Sequence, residues 1–216
     1  MGAVILALLI VFGPGLWVVD RPGPVDDRLQ AREFGNLLKE GHWDGDPGSP
    51  VIAIVFHDYR CGPSREFDHV LRRLRARYPE HLAVLYKPLL LDFDPYGSAP
   101  RLPHGVACAA EQGQFLSYHR SAIDNPQLVA NARGPEQVAE AAGVPVRQSF
   151  DGCMLSRRYM EGLEHIHYTQ ASRIPVRGTP TTILNGRLIE GLVAFEPLDS
   201  LVAAELGREG SGGTDQ

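Results

Sequence analysis

The longest apolar stretch comes first. From Ala3 to Val19 there are 17 residues without a charge, mostly Val, Ile, Leu and Ala, interrupted by Gly13, Pro14 and Gly15. That length lies at the short end of what spans a bilayer as a helix, and the run also has the apolar core of a secretory signal. No Lys or Arg precedes it, and no small-x-small cleavage pattern follows; instead come Trp17, Asp20, Arg21 and Pro22. Residues 1–19 are therefore read as a membrane anchor or a signal peptide, with a buried core segment as the remaining reading. Either of the first two puts the folded part outside the cytoplasm.

Residues 20–44 read as a linker, rich in Pro, Gly and Asp, followed by a short helix in which Phe34, Leu37 and Leu38 share a face. The breaker cluster Gly45-Asp46-Pro47-Gly48-Ser49-Pro50 then gives way to Val51-Ile52-Ala53-Ile54-Val55-Phe56. A short run of β-branched residues bounded by turn signals predicts a strand buried on both faces. Pro63 suits the first turn of a helix, and Phe67, Val70, Leu71 and Leu74 recur at helical spacing to about Tyr78. Leu82 to Tyr86 is a second apolar strand, so the three elements make a βαβ unit with parallel strands and a right-handed crossover.

Residues 89 to 104, with Pro95, Gly97, Pro100 and Pro103, read as loop. Helical patterns cover Val106 to Ile123, Pro135 to Ala142 and Phe150 to roughly Ser172. After Gly178-Thr179-Pro180, Thr181 to Leu184 and Arg187 to Glu190 flank Asn185-Gly186, the strongest short hairpin signal. A last helix is predicted from Glu196 to Leu206, and residues 207–216 form a polar, Gly-rich tail expected to fray. The organisation is one α/β domain over residues 45–206, with a helical insertion at about 99–172.

Composition narrows the function classes. The chain carries 21 basic and 26 acidic side chains among 216 residues, and no block of like charge asks for nucleic acid. Arg72, Arg73, Arg75 and Arg77 read as a solvated helix face. His165 and His167, two apart on a helix, point to different faces and make no ligand pair. There are three cysteines, Cys61, Cys108 and Cys153. In an exported protein an odd count means one pair plus a leftover thiol, or no pair at all.

The chemistry centres on His57-Asp58-Tyr59-Arg60-Cys61-Gly62-Pro63-Ser64. A strand ends and a cysteine sits at the start of the next helix, where unpaired N–H groups and the helix dipole favour thiolate over thiol. Ser64, three residues on, is placed to aim its hydroxyl back at the sulfur. His57 is read either as a group that tunes or accepts the thiol proton or as a solvent-edge residue with no role. Asp58 and Glu66, if close, would oppose ionisation.

Phe56 to Cys61 resembles the active-site segment of the DsbA-like branch of the thioredoxin superfamily. Ala107-Cys108-Ala109-Ala110-Glu111-Gln112-Gly113-Gln114-Phe115 resembles that branch's inserted-helix signature, and Phe150-Asp151-Gly152-Cys153-Met154 its next helix. Val176-Arg177-Gly178-Thr179-Pro180-Thr181 resembles its cis-proline stretch, and Asn185-Gly186-Arg187 its closing hairpin. The likeness runs over roughly residues 45 to 205. It implies a thioredoxin fold with an inserted helical subdomain, and a cis bond before Pro180. It also implies that Thr179 and Pro180 face the nucleophile and pair with an extended substrate.

The departure is Ser64, which stands where the family has its second cysteine. The resolving thiol of a dithiol enzyme is missing, so the resemblance implies monothiol exchange through Cys61 rather than stand-alone oxidation. The rival reading is a peptide-binding module that has lost catalysis. The Pro-x-x-x-Thr-x-x-Cys segment of the thioredoxin-fold peroxidases is absent. Cys108 and Cys153 read as a structural disulfide, which some relatives have, as two free buried thiols, or as a source of a thiol that resolves Cys61. As a metal site they look incomplete, since two thiols without a nearby His are half a set. No metal, nucleotide or other cofactor is implied. The implied partners are cysteine-containing protein substrates, with a small thiol or a membrane redox protein as reductant.

Overall fold

Val51–His57 (β2) is buried along its whole length and forms the middle of a five-stranded sheet. The computed structural model describes residues 29, 31–89, 101–130, 133–145, 147–171, 174 and 176–211. The apolar segment 1–19 and residues 212–216 lie outside them, and no described helix is long and apolar enough to cross a membrane. The other strands are His42–Asp44 (β1), Leu82–Pro88 (β3), Thr181–Leu184 (β4) and Arg187–Glu190 (β5), in the order β1-β3-β2-β4-β5. β2 and β3 are parallel, from Val51 opposite Leu82 to His57 opposite Pro88, and the remaining pairs are antiparallel.

Alternation along β2 divides the core, because successive side chains point to opposite faces. Val51, Ala53 and Val55 join Phe67, Leu71 and Leu74 of α2 (Gly62–Arg77). Ile52, Ile54 and Phe56 pack instead with Leu37 of α1 (Ala31–Leu37), Ile166 and Ile174. The first face also takes most of the helical block between β3 and β4, whose last turn instead gives Ile166 to the second face. That block comprises α3 (Arg101–Ala110), α4 (Phe115–Asp124), α5 (Pro126–Val129), α6 (Gly134–Ala141), α7 (Arg147–Ser156), α8 (Met160–Glu164) and a π-helical turn, His165–Gln170. A final helix, α9 (Phe195–Ser211), adds Leu198 and Val202 to the same face. This is the α/β class, with a helical block inserted in a thioredoxin-type sheet.

The hairpin turn is built as its sequence demands. Asn185 and Gly186 have φ of +43° and +89°, the left-handed pair of a type I′ turn. Asn185 does more than turn the chain. Its Oδ1 accepts the Ile52 N–H at 2.8 Å and its Nδ2 donates to the Pro50 carbonyl at 2.9 Å, fastening the turn to the start of β2.

Several boundaries differ from the sequence reading. β1 lies in the stretch read as linker, because three residues are too few to show a period. The loop expected through residue 104 is already helical from Arg101, since Pro103 falls in the first turn, where no N–H is required. The single helix expected from Val106 to Ile123 is two, separated where Gly113 adopts φ +70°. The stretch from Phe150 to Ser172 is broken at Arg157, φ +54°, and its last turn is π-helical. α9 runs through Gly207 to Ser211, beyond the expected end, with Arg208 paired to Glu205. Extending a formed helix adds one bond per residue fixed, which tolerates an exposed glycine.

Candidate active site

The loop between β2 and α2 is folded by its own polar groups. Asp58 Oδ1 accepts the Arg60 N–H at 2.8 Å, and the Asp58 carbonyl accepts the Cys61 N–H at 3.0 Å, so the chain turns back within three residues. Arg65 reaches back from the helix to donate to the carbonyls of Tyr59 and Arg60. Cys61 thereby becomes the N-cap residue of α2, with extended backbone (φ −78°, ψ 119°), and no side chain caps the helix in its place. Its thiol is half-buried and is the one free cysteine.

Opposite stands the segment before β4. The Thr179–Pro180 peptide is cis. Thr181 Oγ1 donates to the Gly178 carbonyl, and the Gly191 N–H to the Pro180 carbonyl, so the loop is tied at both sides. The Thr179 carbonyl accepts the Cys61 thiol at 3.3 Å. A sulfur 118 residues away in sequence is therefore in contact with the residue preceding the proline. No hydrogen bond among the described residues engages the Thr179 N–H.

Ser64 and His57 are placed differently from the sequence reading. Ser64 is buried, and its Oγ accepts the Asp58 N–H at 3.4 Å. No hydrogen bond joins it to the sulfur, because its side chain faces the loop it supports. His57 also turns inward, stacked edge-on with Tyr59, Tyr86 and His119. Burial, with the neighbouring His119 adding, lowers its pKa to about 3. It enters the site as packing beneath the loop. Cys108 and Cys153 form a disulfide that joins α3 to α7, so neither carries a thiol for resolving Cys61.

A buried polar network missed by the sequence reading lies behind Cys61. Tyr59 O–H meets His119 Nδ1 at 2.8 Å, and His119 Nε2 meets Asp68 Oδ1 at 2.8 Å. Asp68 also accepts from Tyr86 (2.9 Å) and from Arg72 Nε (2.6 Å), and Arg72 continues to Asp124. A Tyr59 donor at Nδ1 makes Nε2 the protonated nitrogen, donating to Asp68. Burial alone would raise Asp68, but the hydrogen bond from His119, the Arg72 charge and the Tyr86 hydrogen bond outweigh it and hold the carboxyl well below the usual range. The network links α2, β3, α4 and the residue two before Cys61. The signal in the sequence is weak: a lone Asp among the apolar positions of α2, and a His far along the chain.

Residues 38–204 match the family profile described as Thioredoxin. No curated protein sequence matches the chain. Among solved structures, a periplasmic thioredoxin-like protein from Salmonella enterica serovar Typhimurium is similar, at 23% identity and a TM-score of 0.70, over 83% of this chain and 99% of that one. The catalytic domain of Proteus mirabilis ScsC is similar at 20% identity and a TM-score of 0.68, over 82% and 96%. BdbD from Bacillus subtilis is similar at 12% identity and a TM-score of 0.63, over 76% and 92%.

Proposed function

Because the chain belongs to the thioredoxin family over residues 38–204, we propose that it is an extracytoplasmic thiol-disulfide exchange protein with Cys61 as its single nucleophile. The observation that carries this reading is the 3.3 Å contact between the Cys61 sulfur, at the start of α2, and the Thr179 carbonyl beside cis-Pro180. Cys61 is partly exposed, and the Thr179 N–H, which carries no hydrogen bond among the described residues, would receive a substrate backbone lying in extended form.

The reaction follows from a lone thiol. The Cys61 thiolate attacks one sulfur of a substrate disulfide; a Cys61–substrate disulfide forms, and the other substrate sulfur leaves as thiolate. A different substrate cysteine then attacks the substrate sulfur of the mixed disulfide and returns Cys61 as thiolate; alternatively a small thiol attacks the Cys61 sulfur and the substrate leaves as thiolate. In that case a second small thiol attacks the Cys61–small-thiol disulfide, returns Cys61 as thiolate and departs as the small-molecule disulfide. The first route isomerises the substrate and the second reduces it. Ser64 has no sulfur and cannot displace the substrate. The location outside the cytoplasm is supported by the apolar segment 1–19, by the disulfide and by the periplasmic Salmonella neighbour. That segment would tie the domain to a membrane where it is not cleaved, within reach of a membrane redox protein.

One observation favours the binding-module alternative. Ser64 is buried and bonded to the Asp58 N–H, so it holds the loop without serving the sulfur. A scrambled-disulfide protein incubated with catalytic amounts of this chain and a small thiol decides between them. Faster recovery of the native substrate, lost in Cys61→Ala, is expected. Equal recovery with Cys61→Ala, together with undiminished binding of reduced substrate, would overturn exchange and leave binding.

A further inference from the structure

Cys108 and Cys153, which look incomplete as a metal site in the sequence, have a histidine beside them in the fold. His104 lies one helical turn before Cys108, and α3 places both on one face. A ring nitrogen of His104 and the sulfurs of Cys108 and Cys153 all lie within 4.8 Å of one another, and all three residues are buried. His104 is 2% exposed, and among the described residues its Nε2 has no hydrogen-bond partner. A buried ring nitrogen without a partner costs free energy, so this one asks for an explanation.

We propose that, when the Cys108–Cys153 disulfide is reduced, the two thiols and His104 Nε2 bind one zinc ion. The chemistry suits that ion. Two thiolates and an imidazole form a known three-ligand set, leaving a fourth position for water. Around a tetrahedral zinc, sulfurs stand about 3.7 Å apart and sulfur to nitrogen about 3.5 Å, from bond lengths of about 2.3 and 2.0 Å. Breaking the S–S bond lets the sulfurs separate towards that spacing, and the imidazole is already at hand.

The steps balance. A dithiol reductant gives two electrons and two protons to the disulfide and becomes a disulfide itself. The two Cys thiols then release two protons as zinc binds. Disulfide and zinc are mutually exclusive occupants, so oxidation expels the ion.

The experiment uses the full chain carrying Cys61→Ser, so that only the pair contributes thiols. It is reduced with a phosphine, dialysed to equilibrium against zinc at low micromolar concentration, and analysed for metal and for secondary structure. About one zinc per folded chain is expected after reduction and none before it. Refolding on zinc addition, should reduction alone unfold the chain, supports the site equally. His104→Ala should weaken binding at least ~10-fold; cobalt in place of zinc should give thiolate-to-metal absorption that Cys108→Ser removes. The proposal is overturned by a folded, reduced chain without zinc. It is equally overturned by His104→Ala binding as tightly as its parent, or by a reduced chain that stays unfolded with zinc present.

Discussion

Asp68 shows what a single residue holds together behind the thiol. It accepts from Arg72, His119 and Tyr86 while almost wholly buried. Asp68→Ala leaves these donors unpaired, and urea unfolding should show a loss of about 3–5 kcal/mol. His42 and His57 set the acid response. Burial, with His119 and Lys87 adding, lowers His42 to about 4, and His57 is lowered to about 3, from 6.5. An unfolded chain binds protons at these rings before the folded chain does, so stability is full above pH ~6.5 and falls as the pH drops towards those values. Each ring contributes up to ~1.4 kcal/mol per pH unit in that window. The depressed Asp68 carboxyl continues the decline below it. A midpoint in urea that stays flat from pH 7 to pH 4 would contradict this account. Cys61, Thr179 and Pro180 are legible in the sequence because short motifs carry them. The pair His119 and Asp68, separated by 51 positions, is not, since no local pattern links two faces that only packing brings together.

At the scale of elements, the first turn of α2 and the hairpin make separate claims. Ser64 follows Cys61 by one turn, where a second thiol would meet the first. Ser64→Cys should close a disulfide between the introduced thiol and Cys61 in air, read as a mass two hydrogens lighter under denaturing conditions. It should also convert the chain into an oxidant of dithiol substrates. Two free thiols after exposure to a mild oxidant would argue against the proposed geometry. In the hairpin, Asn185→Ala forfeits two bonds to the start of β2 and puts alanine, which tolerates the left-handed region less well than asparagine, at φ +43°. The cost should be about 2–3 kcal/mol in thermal or urea unfolding. β2, β3 and the β4–β5 hairpin are readable from runs of apolar residues and from Asn-Gly. β1 and the breaks within the helical block are not. Their boundaries depend on single positive-φ residues such as Arg157, which carries no turn signature. The reading of 89–104 as loop also hid His104, since only a helix brings it beside Cys108.

The helical block is joined to itself and to the sheet by different means. The disulfide spans 45 residues between α3 and α7, and a crosslink of that span stabilises by about 4 kcal/mol in the chain-entropy model. Cys108→Ala with Cys153→Ala should lose most of that in urea while leaving Cys61 reactive, because the thiol is positioned by β2, α2 and the cis-proline segment instead. Loss of Cys61 alkylation in a still-folded double variant would show that the block also shapes the site. The block stands between strands that are neighbours in the sheet. β4 pairs with β2, yet the two are separated by residues 58–180. On a ribosome, β2, buried along its whole length in the fold, is therefore made long before its partner on that edge. An unpaired strand edge is a template for other chains. Export of an unfolded chain, or a holding chaperone, would keep β2 from strangers until Thr181–Leu184 arrives to close the sheet.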